Sequence, residues 1–251
     1  MRVRYLVAGL AAAAVVMVAV GAGGWWFLVR EDAELATEPR AIPEEVSASD
    51  QAADDSATPP MGDVSTPEET ISFTIIPEFS EAAYFVDEEL ASLGLPSTAK
   101  GSTKSVEGAL HLTTDGELAP DRESRFTVDL TTLMSSESRR DDRVQEALNT
   151  VTYPTATFIA SELTGYDASL PEGSEQNLQL TGILDLHGVQ KEITWTIVAI
   201  YEGDAMSGPA TFEGLFADFG ITPPNIAGFV TVEDDFTLQV QIVAEQVQAA
   251  G

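Results

Sequence analysis

The residues here that could do chemistry are two histidines and a large population of carboxylates. His111 lies between Leu110 and Leu112 in an alternating stretch, which turns its ring away from theirs, and His187 sits at a short turn, His187-Gly188-Val189. The two fall on separate segments with no HExxH arrangement to add a ligand, so they do not form a zinc site. Acidic neighbours such as Asp141-Asp142 and Asp234-Asp235 are expected by chance in a chain with 41 Asp and Glu. A glycosidase needs two carboxylates converging in a polar cleft, and the positions that alternate inward here are apolar. GxSxG, GxxxxGKS, GxGxxG and DxDxDG patterns are absent from the sequence. With no cysteine, thiolate metal sites, disulfides and thiol nucleophiles are excluded. The expectation is a protein without catalytic residues, without a metal and without a built-in cofactor.

Charge narrows the partners. Forty-one acidic against 12 basic residues give a formal net charge of −29, which repels nucleic acid and anionic lipid surfaces. A hydrophobic fraction of 44% over 251 residues permits one core of ordinary domain size plus appendages.

The segments that must position any site follow in order. Arg2 and Arg4 precede an uncharged run over residues 5–29 that ends in Trp25-Trp26-Phe27 before Arg30. As a helix that run reaches about 37 Å, beyond the ~30 Å of a hydrocarbon core. Arginines before it and acidic residues after it put the N-terminus in the cytoplasm and the rest outside, as a single-pass cell-membrane protein. Residues 1–30 are therefore expected to be a transmembrane anchor. The competing reading is a signal peptide cleaved near Ala19, Gly21, Ala22 or Gly24; both readings export the remainder. Residues 31–70 carry a dozen carboxylates, one arginine (Arg40) and five prolines. They are expected to be a disordered acidic linker whose truncation leaves the domain folded.

Alternation takes over at Ile71. Ile71, Phe73 and Ile75 share one parity; beyond a break at Pro77, Ala83 and Phe85 are assigned to the same inner face. Residues 88–100, with Gly94 and Pro96, read as a loop at the rim. Residues 106–113 and 124–133 read as strands, the latter with Phe126, Val128 and Leu130 inward. Residues 135–150 have helical spacing (Val144, Ala147, Leu148), with Ser135 or Ser136 as cap, and stop at Tyr153-Pro154. The charged run from Glu137 to Arg143 reads as a solvated helix start. Ala156, Phe158 and Ala160, then Phe212, Gly214 and Phe216, then Phe236, Leu238, Val240 and Ile242 mark later strands. Between them lies the most regular stretch, a hairpin with Leu178, Leu180, Gly182, Leu184 and Leu186 inward on one arm and Ile193, Trp195, Ile197, Ala199 and Tyr201 on the other. The sum is all-β: a single antiparallel barrel of about eight strands with one short helix over residues 71–246, followed by a tail, 247–251. A barrel of that size is either filled by side chains or holds one small ligand. Ala156, Ala160, Gly182, Ala199 and Gly214 among the aromatics are compatible with a tunnel rather than a solid plug, a slight preference because tapered packing would also use small residues.

Four pieces in order resemble the YceI-like lipid/polyisoprenoid-binding family: Arg140-Asp141 before a short helix; Tyr153-Pro154 with Phe158 and Ser161; Gly182-Ile183-Leu184-Asp185-Leu186-His187-Gly188-Val189 followed by Gln190 where the family usually has threonine; and Asp218-Phe219-Gly220-Ile221. The resemblance implies a lipocalin-like barrel with a hydrophobic tunnel for a long isoprenoid or fatty chain, and a possible homodimer. It implies that Arg140 and Asp141 help hold the rim. With the strand parities it implies a wall of Phe85, Leu110, Phe126, Val128, Phe158, Leu184, Trp195, Phe212, Phe219 and Leu238. The family often has arginine two residues before the aspartate of its last motif; here that residue is Phe216.

Overall fold

In a computed structural model, residues 33–47, 70–90, 95–167, 169–224 and 230–248 are described. The expected membrane-spanning run 1–30, most of the linker (31–32 and 48–69) and tail residues 249–251 lie outside them. Among the described residues no helix is long and apolar enough to cross a membrane.

Period-2 alternation dictates strands, and among the described residues eleven form: β1 (Thr70–Ile75), β2 (Glu81–Leu90), β3 (Leu95–Thr103), β4 (Val106–Thr113), β5 (Arg125–Asp129), β6 (Met134–Ser135), β7 (Thr155–Thr164), β8 (Gln176–Leu186), β9 (Val189–Glu202), β10 (Ala205–Leu215) and β11 (Val230–Gln248). Eight of them close an antiparallel barrel in the order β1-β4-β5-β7-β8-β9-β10-β11, with β11 pairing back to β1. The long β11 serves two partners. Its first part pairs with β2, which carries β3 and β6 outward as an extension, and its last part pairs with β1. At the change of partner the Val243 N–H and C=O are both taken by Ser80 Oγ, at 3.0 and 3.1 Å, so the break at Pro77 leaves no unpaired backbone group at that residue. The helix expected after β6 is present (Ser138–Ala147). A one-turn helix, α1 (Glu44–Ser47), lies upstream, so the longer one is α2.

The central hairpin has the expected register. Leu180 faces Trp195 and Leu186 faces Val189 across a tight turn in which His187 (φ 56°) and Gly188 (φ 75°) are both left-handed, the combination that matches strand twist. The inward glycines do not leave space, as a tunnel reading supposed. A Cβ on Gly182 would lie 2.2 Å from the Ile159 carbonyl and 2.7 Å from the Phe158 ring, and one on Gly214 would lie 2.8 Å from the Phe212 ring. These positions are glycine because a neighbouring strand or ring already occupies the volume.

Four expectations need correction. Residues 95–103 form strand β3 rather than a rim loop. β3 lies beside β2 near the sheet margin, where Pro96 is tolerated, and Gly101 admits the Tyr84 ring. In β2 the inner parity is Ala82, Tyr84, Val86 and Glu88; Phe85 lies on the outer face, buried, with the Lys100 ammonium 5.7 Å from its ring centre. Helix α2 is not capped by a serine on its first turn. Its N-cap is Glu137, and Ser135 instead receives the Glu137 N–H and gives both its N–H and O–H to Asp141 Oδ1. Finally, residues 34–47 are not a disordered linker. They cross the outer face of β10 and β11, with hydrogen bonds from Ala36 N–H to Gln239 Oε1 (2.9 Å), from Gln239 Nε2 to the Ala36 carbonyl (2.9 Å) and from Ser207 Oγ to the Arg40 carbonyl (2.9 Å). Val46 on α1 is buried.

Candidate binding site

The inner side chains of the barrel do not meet at its centre. They leave a cavity of about 180 Å³, with two pockets of about 40 and 10 Å³ at the far end. The cavity runs from Ile75, Phe126, Ile197 and Ile242 at mid-barrel to α2 (Val144, Ala147, Leu148), Phe216 and Ile221 at the other end. Every lining residue among those described is apolar or aromatic except Glu88 and Arg140. The far end is closed by side chains: Phe73 and Tyr201 meet edge to face at 5.8 Å among Leu110, Leu163 and Met206. The interior is thus filled at one end and hollow at the other.

Six of the ten expected wall residues line the main cavity: Phe126, Val128, Phe158, Leu184, Trp195 and Leu238. Leu110 lines the two small pockets. Phe212 and Phe219 belong to the core without reaching the hollow. Phe212 packs between Trp195 (5.9 Å) and Phe236 (6.3 Å), and Phe219, fully buried, lies against Phe236 at 6.0 Å. Phe85 is on the outside, as described. The error at Phe85 has a local origin: Ala82, Ala83, Phe85 and Val86 are apolar on both parities of β2, so alternation does not choose between them. Among the cavity residues that parity did not place in the wall are Ala82, Tyr84, Val86 and Glu88 on β2, Leu133, Val232 and, on α2, Arg140.

Arg140 and Glu88 form one paired unit. Arg140 donates from Nε to Glu88 Oε1 (3.3 Å) and from Nη2 to Oε2 (3.2 Å), the two-point geometry that suits guanidinium and carboxylate. Their side chains are 13% and 12% exposed, so Arg140 is not part of a solvated helix start. Nor does it pair with Asp141, which is held by Ser135. Close by, the Tyr84 ring lies across Gly101, whose missing Cβ would fall 2.3 Å from it. Burial, with Asp141 and Glu88 adding to it and Arg140 opposing, pushes the Tyr84 phenol up to about 12, so it stays a hydrogen-bond donor at any ordinary pH.

The remaining motif residues assemble beside this end. The Tyr153 and His187 rings meet edge to face at 4.9 Å, His187 Nδ1 lies 3.2 Å from the Phe219 carbonyl, and Lys191 pairs with Asp218 while its ammonium lies 6.0 Å from the Phe219 ring centre. His187 is therefore a structural tie between the hairpin turn and residues 216–219. His111 is on the outer face of β4, with Nδ1 2.8 Å from Ser72 Oγ and its N–H donated to Ser124 Oγ. The two histidines do not approach a common centre, and among the described residues no cluster of His, Asp and Glu could hold a metal. Phe216 lines the cavity with its ring 4.9 Å from that of Phe236.

Comparison with known proteins places the fold. Residues 73–244 match the family model of the YceI-like domain. A polyisoprenoid-binding domain from Saccharophagus degradans shares the fold at 17% identity and a TM-score of 0.53, over 70% of this chain and 98% of that one. BcnA of Burkholderia cenocepacia (16% identity, 67% and 98% coverage, TM-score 0.49) and the YCEI protein of Campylobacter jejuni (18%, 58% and 83%, TM-score 0.45) are also similar. No curated protein matches the chain.

Proposed function

The chain belongs to the YceI-like domain family, and from that premise and the apolar hollow we propose that it is a non-enzymatic binding protein that holds an isoprenoid or other lipid chain inside its barrel. The observation that carries the reading is the cavity itself: a hollow of about 180 Å³ whose lining is apolar or aromatic apart from one ion pair. At the ~30 Å³ share of a water-sized group it takes on the order of six heavy atoms, or about one isoprene unit. Burying about six such carbons contributes ~5 kcal/mol at ~0.8 kcal/mol per CH₂, a sub-millimolar affinity before ordering costs. A longer chain must use the two small pockets or extend out of the barrel.

The domain acts outside the cytoplasm, tethered to the cell membrane by its N-terminal run. The arginines ahead of residues 5–29 and the acidic residues behind them support that orientation. Such a protein receives, holds and yields its ligand by partition, with tunnel length and the end groups setting preference.

The test is extraction. The full chain purified from its own host is subjected to native mass spectrometry and its bound lipid identified. A stoichiometric chain lipid supports the reading; protein that carries no lipid, and takes none up when offered geranylgeraniol, overturns it.

A further inference from the structure

The cavity lining breaks its apolar pattern at one place, where β2 meets α2. We infer that the Glu88–Arg140 pair selects the ligand by its head group, admitting a neutral polar head such as an alcohol or carbonyl and excluding a carboxylate or phosphate. This rests on the lipid-binding reading and adds the head-group class to it.

The argument starts from charge. Arg140 is the only cation among the described lining residues, and its guanidinium is already engaged at two points by Glu88. A second anion arriving there would compete with Glu88 for Arg140, and either carboxylate, once displaced, would be left unpaired in an apolar surround. Removing one partner of a buried pair in that way is strongly unfavourable. Asp141, next to Arg140 in sequence, adds further negative charge; the donors that hold it, the Ser135 N–H and O–H, are neutral and do not offset that charge.

A neutral head meets the opposite situation. The Nη1 amino group of Arg140 has no hydrogen bond among the described residues, so it can donate to a carbonyl or hydroxyl oxygen. Glu88 retains acceptor lone pairs for a hydroxyl proton. The Tyr84 phenol, whose O–H also has no partner among the described residues, lies in the same wall and provides a second donor, an uncharged one. The pair stays intact while it binds, so no charge is uncovered.

The experiment is a competition. The full chain in detergent micelles is incubated with equimolar geranylgeraniol and geranylgeranoic acid at a pH where the acid is ionised; the protein is re-isolated and both ligands are quantified by mass spectrometry. Wild type is expected to carry the alcohol in excess. Glu88→Gln, which frees the Arg140 charge while keeping the shape, is expected to move the alcohol-to-acid ratio about tenfold or more toward the acid. Comparison of wild type with variant cancels the partition of each ligand into detergent. Should Glu88→Gln not fold, the apolar pair Glu88→Met/Arg140→Met serves instead, offered geranylgeraniol against the headless hydrocarbon phytane. The preference for the alcohol seen in wild type is expected to disappear. Equal uptake of alcohol and acid by wild type, an unmoved ratio in Glu88→Gln, or an undiminished alcohol preference in the double variant overturns the selection by this pair while leaving lipid binding in place. Uptake of no ligand by wild type overturns both readings.

Discussion

The carboxamide of Gln239 on β11 is paired with the backbone of Ala36, more than two hundred residues earlier, through one N–H accepted and one N–H donated, both at 2.9 Å. The side chain thus does for the upstream segment what a strand edge would do. Ser207 Oγ, donating to the Arg40 carbonyl, fastens the same segment a few residues on. Ser207 and Gln239 are almost fully buried although both lie on the outer face of the barrel, because this segment covers them.

It follows that residues 34–47 are part of the domain's stability. Deletion through residue 47 is expected to lower the melting temperature, and deletion through residue 33 to leave it unchanged. Gln239→Leu, which removes the two hydrogen bonds to Ala36 and a third from Nε2 to Thr211 Oγ1 (3.1 Å) and keeps the bulk, is expected to cost ~1–2 kcal/mol, or roughly 2–8 °C for a domain of this size. Equal melting of the two deletion forms would show that the contact contributes nothing.

Gln241, two residues along the same face, provides the contrast. It is 4% exposed, and neither Nε2 nor Oε1 has a hydrogen-bond partner among the described residues. A buried amide left unpaired costs ~1–3 kcal/mol, and replacing it with an apolar group of similar length removes that cost. Gln241→Met is therefore expected to raise the denaturant midpoint, by an amount corresponding to ~1 kcal/mol or more, where most substitutions at buried sites lower it. A lowered midpoint would mean that the amide is satisfied in solution.

His111 gives the chain a pH-dependent contribution. Burial first, and the Arg122 charge second, hold its pKa below the ordinary value of 6.5. The unfolded chain then takes up the proton before the folded one does. Stability from this residue is complete above about pH 6.5 and is lost as the pH falls below it. Denaturant midpoints measured on either side of this value are expected to fall more steeply with acidification in wild type than in His111→Gln; the many carboxylates titrate in both and cancel in the difference. Parallel lines would exclude the contribution.

What was legible in the sequence follows from how local the deciding physics is. In β8 and β9 one face is apolar and the other wet at nearly every step, so parity placed Leu184 and Trp195 correctly. In β2 both faces are apolar because an outer face is itself covered, and parity put Phe85 inside. β3 was unreadable because its glycine and proline serve a neighbouring ring and a strand margin, and neither cause lies within the segment. The same holds for residues 34–47, whose composition is that of a spacer but whose backbone is met by Gln239 and Ser207 from the far end of the chain. Arg140 was legible as a motif residue, and its partner Glu88 was not, because 52 residues separate them.

The hollow can be tested by filling it. Ala156 on β7 and Ala210 on β10 are two of the small residues that line the main cavity, and Ala156→Leu/Ala210→Leu adds hydrocarbon to space that no side chain occupies. Where a core is already packed, such additions destabilise by ~1–3 kcal/mol; where a cavity exists, filling it stabilises by ~0.5–2 kcal/mol. The double variant is therefore expected to melt at or above the wild-type temperature and to carry less lipid, since the added carbons take volume from a cavity of about 180 Å³. The two readouts must move apart. Lower stability with unchanged lipid would place the ligand outside the barrel and show its interior to be tightly packed, while lower stability together with lower lipid would mean only that the fold had been damaged, and Trp195→Ala would then decide: as a lining residue with the Phe158 ring edge-on at 6.1 Å, it should enlarge the hollow and admit a longer chain at a stability cost of ~3–5 kcal/mol.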